Sequence, residues 1–354
     1  MIHRLHIGLV VKFESIESVS RSEANDQSER VKVSENIVVL DGYALNPGDI
    51  TWEGFENIGP VTVYDRTPTD QIIQRAQGFS NILTNKTVLS RQILQNLPEA
   101  SYIGVLATGY DNVDLVAARE QNITVTNIPT YGTDSVAQHA TALLMELVRQ
   151  PALHANAVKN GQWSASSDFC FALAPITELS GKTLGIIGIG RIGQAFARIG
   201  AAMGMTIVAH DEFPPPTEAL NGLDVSYTDM DTVFSEADVI SLHCPLTDLT
   251  KHLVNERRLA LMKPDAILIN TSRGPLVDNE ALAAALNNEQ IGGAGLDVLD
   301  VEPPPVDNPL ISAKNCIITP HISWYSKASR QRLMDIAVAN LSSYLSGANT
   351  NVVN

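Results

Sequence analysis

Cysteine is scarce in this chain. Its 354 residues hold three, Cys170, Cys244 and Cys316, and no two of them form a CxxC pair. Neither a zinc knuckle nor a disulfide framework follows from that spacing, no metal is expected, and reduced thiols in a cytoplasm fit best. Basic residues are also short. With 24 Lys and Arg against 39 Asp and Glu, the net charge is −15. Such a chain repels phosphate backbones and anionic lipid heads, which argues against nucleic acid or a membrane surface as a partner. The same charge repels a carboxylate ligand, so any site for one must be locally basic. No apolar run reaches the ~18 residues of a membrane span. Ile7 to Val11 is too short for a secretory core, and Glu14 and Glu17 soon follow it. Glu14 to Glu35 is rich in Ser, Glu, Asn and Gln, a composition that buries too little to order itself. Residues 1–35 are therefore expected to be a disordered extension, with a first strand at Ile7 to Val11 as the alternative.

What remains has the makings of real cores. Hydrophobic residues make up 44% and charged residues 18%, ordinary for a globular protein. At roughly 100–200 residues per domain, the length suggests two domains. From Ile37 onward, short β-branched runs alternate with helical stretches. Strands are expected at Ile37 to Leu40, Val61 to Tyr64, Ile82 to Thr84, Ile103 to Leu106 and Ile123 to Val125. Helices are expected at Ser90 to Leu97, capped by the serine, and at Asp114 to Gln121. A long helix begins near Asp134 and runs towards Arg149, and a looser stretch follows from Gly161 to Leu179. A second series then starts, with strands at Thr183 to Ile187, Thr206 to Ala209, Val239 to Leu242, Ala266 to Ile269, Ala294 to Leu296 and Cys316 to Thr319. The chain closes with a helix over about Ser326 to Leu345. Alternation of this kind implies parallel sheets covered on both faces.

The strongest local signal is the turn after the first strand of the second series. Gly188, Gly190 and Gly193 fit GxGxxG. Alone that motif is weak, but here a strand precedes it and an amphipathic helix, Ile192 to Met203, follows. The first glycine permits the tight turn, the second lets backbone approach a pyrophosphate, and the third lets helix and strand pack closely. The helix N-terminus offers free N–H groups to the phosphates. Asp211 stands 23 residues after Gly188, at the end of the next strand. An acid there can bond both ribose hydroxyls of NAD and repel the extra phosphate of NADP.

Other polar groups fall in a pattern. His243-Cys244-Pro245 follows one strand, Asn270-Thr271-Ser272-Arg273-Gly274 the next, Asp297 ends the Ala294 to Leu296 strand, and His321 follows Ile317 to Pro320. In an open parallel sheet ligands bind at the carboxyl ends of strands, so all of these would face one cofactor. Singly, Arg273 could be a surface turn residue, Glu302 a solvated loop acid and His321 an interior histidine. Together they supply a cation for a carboxylate, a titratable imidazole and an acid to hold it, the parts needed for hydride transfer to a keto acid.

These motifs resemble the D-isomer-specific 2-hydroxyacid dehydrogenases. The resemblance runs from about Ile37 to the C-terminus and rests on Gly188 to Gly193, His243 to Thr247, Asn270 to Gly274, Gly295 to Val298, Val301-Glu302-Pro303 and Pro320-His321. It implies a catalytic trio of Arg273, Glu302 and His321, pyrophosphate contacts at Arg191 and Ile192, and Asp211 at the ribose. It also implies cofactor contacts along the edge at Cys244, Pro245, Thr271, Arg273, Asp297 and His321, and a substrate carboxylate held by backbone N–H groups at Thr108-Gly109. Leu40 to Gly48, Ala107 to Asp114 and His321 to Trp324 are most similar to the glycerate dehydrogenase (hydroxypyruvate reductase) branch. The implied fold is α/β, with two parallel-sheet domains, Rossmann-like and flavodoxin-like, facing a cleft. Residues 36–128 and 321–354 would form a discontinuous substrate domain, and 129–320 the NAD-binding domain. A homodimer through the latter would use the apolar surface of the helix after Asp134. Rival readings are another keto acid such as pyruvate, or a nucleotide-sensing, corepressor-like scaffold. A phosphorylated substrate would need more basic groups, and Lys86 is the one spare candidate near the cleft.

Overall fold

A computed structural model describes residues 36–354, and the two readings of residues 1–35 lie outside the described residues. Two parallel sheets organise the rest. The first contains β1 (Ile37–Val39), β2 (Val61–Val63), β3 (Asn81–Thr84), β4 (Tyr102–Val105) and β5 (Thr124–Thr126), in the order β2-β1-β3-β4-β5. The second contains β6 (Thr183–Ile187), β7 (Thr206–His210), β8 (Ser226–Tyr227), β9 (Val239–Leu242), β10 (Ile267–Asn270), β11 (Gly293–Leu296) and β12 (Cys316–Ile318), in the order β12-β11-β10-β9-β6-β7-β8. Every strand pair in both is parallel.

Strand alternation explains why each sheet is covered twice. Successive residues of a strand point to opposite faces. Val38 and Leu40 enter one apolar cluster with Leu94 and Ala117, while Ile37 and Val39 enter another with Leu333 and Leu341 of the C-terminal helix. In the second sheet, Ile240 and Leu242 join Leu268 and Leu282 on one face, and Val239 joins Leu143, Leu184 and Phe196 on the other. Strands buried on both faces read as continuous β-branched runs, which is why they stand out in the sequence.

The helices show where local signals hold and where they fail. Asp114 caps the helix Leu115–Glu120 by accepting from the Ala117 N–H, and Ser326 caps Lys327–Leu345 by accepting from Ser329 N–H. Ser90 does sit before a helix, Arg91–Leu94, but its side chain makes no capping bond. The long helix is Thr133–Arg149, and a second helix, Pro151–Lys159, follows it after the left-handed Gln150. The C-terminal helix packs with the first sheet, anchored by the buried Arg330, whose guanidinium forks onto Asp49 at 2.6 and 2.7 Å. The last residues return to the same sheet, where Val353 N–H donates to Val125 O.

Each strand order reverses once, and the loops that matter gather at those reversals. In the second sheet the chain turns back between β6 and β9, and the Gly188 turn lies there. In the first it turns back between β1 and β3. There the Asp41 carboxylate accepts the N–H groups of Asn85, Lys86 and Thr87 at 2.7, 2.6 and 2.7 Å. Such reversals leave a crevice at the carboxyl ends of the strands, the usual ligand position in open α/β sheets.

Candidate active site

The glycine turn has the shape a dinucleotide needs. Gly188 has φ +92°, and a Cβ there would stand 2.7 Å from the Cys244 nitrogen across the reversal. A Cβ on Gly193 would collide with Gly188 O, so the helix can lie close only because the position is bare. Gly190 is different: it is exposed, and nothing lies within 4 Å of where its Cβ would be. The helix beginning at Arg191 has no side-chain cap, so its first N–H groups, at Arg191, Ile192 and Gly193, have no side-chain acceptor. Asp211 follows β7 and braces the turn: its Oδ2 accepts from Ile189 N–H at 2.7 Å and its Oδ1 from Phe213 N–H at 2.8 Å. A carboxylate has room for further donors beyond these two. Thr271 adds a second sign of a missing partner, since its buried Oγ1 has no hydrogen bond among the described residues. An uncapped helix, an open glycine and an orphaned hydroxyl on one sheet edge fit a bound dinucleotide.

Beside them, His321 and Glu302 meet directly. His321 Nδ1 lies 2.6 Å from Glu302 Oε2, and Glu302 Oε1 accepts from Leu299 N–H at 3.0 Å. Burial pushes the Glu302 carboxyl up, but the His321 hydrogen bond and charge, the Leu299 N–H and the charge of Lys86 outweigh it and hold the carboxyl below its usual range. The pair leaves His321 Nε2 as the free edge of the ring. His321 itself has φ +56°, in the left-handed region that non-glycine residues seldom occupy. It is held there by its N–H to Asp297 O at 2.9 Å and by the Trp324 indole donating to its carbonyl at 3.1 Å.

Arg273 lies between the two sheets' loops. Its Nη1 donates to Ser272 O at 2.8 Å. Its Nη2 would stand 2.6 Å from a Cβ on Gly109, so the loop after β4 and the loop after β10 touch at the bare glycine. Thr108 spends its hydroxyl on Ile128 O at 2.8 Å and its carbonyl on Asn127 Nδ2 at 2.8 Å. Neither its N–H nor that of Gly109 donates to any described residue. Tyr131 closes the neighbourhood: burial pushes its phenol up to about 12 against the opposing charge of Arg273.

The other expected cofactor contacts divide into two kinds. Cys244 is buried, its thiol pushed up to about 11 by burial, and its carbonyl accepts from Ser272 Oγ at 2.7 Å. Pro245 is exposed next to it. His243, an alternative imidazole on the same edge, is pushed down to about 4 by burial and bonds Ser241 Oγ at 2.9 Å, so it is neutral at neutral pH. Asp297 is fully engaged within the chain: Oδ1 accepts from Thr319 Oγ1 at 2.6 Å and Ile322 N–H at 2.9 Å, and Oδ2 from Ser323 N–H at 2.8 Å. Sequence reading did not find Asp41, which shapes the Lys86 turn, although an acid directly after a strand and before a glycine is a sign of such a turn. It also missed His139, whose only signal was its place on the long helix.

Comparison with known proteins settles what this arrangement belongs to. Residues 141–323 match the family model described as D-isomer specific 2-hydroxyacid dehydrogenase, NAD binding domain. A hydroxypyruvate reductase of Blautia hydrogenotrophica is 49% identical over 321 residues, covering 90% of this chain and 99% of that one. The chain belongs to the D-isomer-specific 2-hydroxyacid dehydrogenase family. It is thus an oxidoreductase with an NAD-binding domain. A glycerate dehydrogenase of Methylorubrum extorquens is 40% identical over 91% of this chain and 99% of its own length. Among solved structures, the NAD-complexed D-isomer specific 2-hydroxyacid dehydrogenase of Lactobacillus delbrueckii aligns with a TM-score of 0.71 at 29% identity, covering 90% of this chain and 100% of that one. Among the described residues no helix is long and apolar enough to cross a membrane, and no cluster of His, Cys, Asp and Glu could hold a metal ion.

Proposed function

We propose that this dehydrogenase reduces hydroxypyruvate and glyoxylate to D-glycerate and glycolate with NADH. The observation that carries the reading is the convergence of Arg273 on Gly109 beside the His321–Glu302 pair. It supports a reading in which a fork-shaped cation, two N–H groups without an acceptor among the described residues and an acid–base imidazole serve one substrate. The names of the two relatives, a hydroxypyruvate reductase and a glycerate dehydrogenase, support the choice of substrate.

The geometry supports the following roles. NADH, when bound, would supply hydride to C2 of the keto acid. Arg273 binds the substrate carboxylate and carbonyl oxygens, a charge-assisted contact suited to its planar fork. The N–H groups of Thr108 and Gly109 hold the other side of the carboxylate. His321 gives the Nε2 proton to the oxygen on which negative charge develops, and Glu302 fixes the ring through Nδ1. Gly188, Gly190, Arg191, Ile192 and Gly193 would hold the pyrophosphate, Asp211 the ribose, Cys244 and Pro245 would line the cofactor across from the glycine turn, and Thr271, Arg273 and Asp297 would meet the nicotinamide side. Asp297 reaches it by shaping the loop, since its oxygens already have three donors.

We divide the chain into a substrate domain, 36–128 with 321–354, and an NAD-binding domain, 129–320. The C-terminal helix and residues 351–354 pack and pair with the first sheet, which supports that division. A homodimer belongs to the same proposal. The apolar side of the helix Thr133–Arg149 is consumed by its own sheet, in contact with Leu184 and Ile269. Exposed apolar surface lies on the segment that follows, with Leu153, Trp163, Phe169, Leu173 and Ile176 uncovered, and that segment is where a second copy would bury most. The three free cysteines fit a reducing cytoplasm.

Turnover of NADH with hydroxypyruvate, glyoxylate and pyruvate tests the substrate assignment. Hydroxypyruvate and glyoxylate should give the higher kcat/KM. Pyruvate as the best substrate would refute the branch, and no turnover with any of the three would favour a nucleotide-sensing scaffold.

A further inference from the structure

His321 is held by a loop whose anchor lies on another element. Asp297 gathers that loop: its carboxylate takes Thr319 Oγ1, Ile322 N–H and Ser323 N–H, and its carbonyl takes His321 N–H. The carboxylate is completely buried. An ionised carboxylate has only acceptors, so Thr319 must donate its one hydroxyl proton to Asp297. The hydroxyl then has lone pairs but no proton for anything else. His139 Nε2, on the helix Thr133–Arg149, lies 2.9 Å from that same Oγ1 and 3.5 Å from Asp297 Oδ1. Hence His139 carries a proton on Nε2 and donates it to Thr319. The direction of both bonds is fixed by the carboxylate at the end of the relay. Four residues earlier on the same helix, Ser135 Oγ donates to Ser323 O at 2.6 Å. The helix thus ties down the loop on both sides of His321.

We propose that His139 is a positioning residue for the reaction: its Nε2–H orients the Thr319 hydroxyl onto Asp297 and so sets the left-handed backbone that aims His321 at the substrate. The proposal rests on the assignment of His321 as the acid–base group. Without the His139 donor, the Thr319 hydroxyl oxygen loses the bond that holds it in place, its bond to Asp297 weakens, and the N–H groups at Ile322 and Ser323 loosen. A displacement of the reacting groups by about 1 Å can cost as much as 10²-fold in rate.

The test compares four variants with the wild type. His139→Leu keeps bulk and removes the donor; His139→Gln keeps an amide donor at similar reach. Thr319→Val removes the hydroxyl, and the fourth variant combines His139→Leu with Thr319→Val. In His139→Leu, kcat should fall about 10–100-fold while KM for the keto acid and NADH affinity by fluorescence hold. His139→Gln should recover most of the rate. Thr319→Val should match His139→Leu, and the double variant should lose no more than either, because both break one relay. Independently of turnover, amide hydrogen exchange in NADH-free protein should speed up at Ile322 and Ser323 in His139→Leu and return in His139→Gln. Full kcat in His139→Leu, no rescue by glutamine, or multiplying losses in the double variant would overturn the proposal. Should His139→Leu fail to fold, Thr319→Val against Thr319→Ser decides by the same readouts. If the wild type reduces no keto acid, the functional reading fails, whereas unchanged exchange at Ile322 and Ser323 removes the clamp itself.

Discussion

The five-stranded sheet presents backbone at its carboxyl edge, whereas the seven-stranded sheet presents titratable side chains. On the first, the N–H groups of Thr108 and Gly109 have no acceptor among the described residues, and Asp41 spends both carboxylate oxygens on shaping the Lys86 turn. On the second stand Arg273, Glu302 and His321, braced by Asp297. The difference answers the problem set by a net charge of −15. A strongly acidic chain can attract an anion without collecting cations if oriented N–H dipoles do the work. In the function proposed above, the glycine turn would do so for phosphates and the Thr108-Gly109 turn for a carboxylate, with a single guanidinium between. The chemistry is then confined to one edge, and recognition is shared.

Breaking the chemical edge should have the largest effect. His321→Ala removes the proton donor, and kcat for hydroxypyruvate should fall about 10²–10⁴-fold, the usual scale for one acid–base group. NADH affinity by fluorescence should fall far less than kcat, because the glycine turn and Asp211, not the His321 ring, are assigned to holding most of the dinucleotide. Near-normal turnover would mean that the proton comes from elsewhere on the edge.

Breaking the recognition edge should cost less and leave the chemistry intact. A Cβ at Gly109 would stand 2.6 Å from Arg273 Nη2. That atom is the end of a flexible side chain, so Gly109→Ala should shift the guanidinium with little change in melting temperature. The kcat/KM for the keto acid should drop about 10–100-fold, the scale of one charge-assisted hydrogen bond, with NADH binding intact. An unaltered kcat/KM would show that Arg273 does not need its observed place.

How much of this contrast was legible in the sequence depends on distance along the chain. Motifs confined to one loop, such as Gly188 to Gly193 or Asn270 to Gly274, carry their geometry with them, and the strands around them are marked by buried β-branched runs. The meeting of Gly109 with Arg273 bridges the two sheets, and no local pattern encodes it. His139 and Asp41 act through partners far off in sequence, Thr319 and Asn85 to Thr87. The Ser90 cap also failed: its side chain makes no bond to the four-residue helix Arg91–Leu94, although Asn255 caps the equally short Glu256–Leu259. The helix Pro151–Lys159 went unnoticed because its apolar residues are mostly uncovered, Ala157 being its one buried position.

Cofactor choice sharpens the comparison within the seven-stranded sheet. Asp211 has one oxygen on Ile189 N–H and one on Phe213 N–H, so it shapes the turn as well as meeting a ribose. NADH should therefore be preferred to NADPH in the wild type, and Asp211→Ala should narrow the ratio of their kcat/KM values about 10-fold. Asp211→Asn keeps the shape and loses only charge, so it should admit NADPH without weakening NADH as much as alanine does. Equal use of the two cofactors by the wild type would overturn the role of Asp211.

The smallest expected effect lies in the pair itself. Glu302 is held below its usual carboxylate range in the folded chain, burial being outweighed by His321, the Leu299 N–H and Lys86. A depressed folded value means that the stabilisation is present above the unfolded value, about 4.3 for a glutamate, and is lost as pH falls through the folded one. Glu302→Gln has no group to titrate there. The wild type should thus melt higher than Glu302→Gln near neutrality, by about 1–3 °C, since the carboxylate is 36% exposed and partly screened. The gap should hold above the unfolded value, narrow as pH falls past it, and close below the folded one. Melting curves of both proteins from about pH 7 down to about pH 3 check the sign. A gap that widens on acidification would mean that burial dominates at Glu302 and that the His321 contact does not offset it.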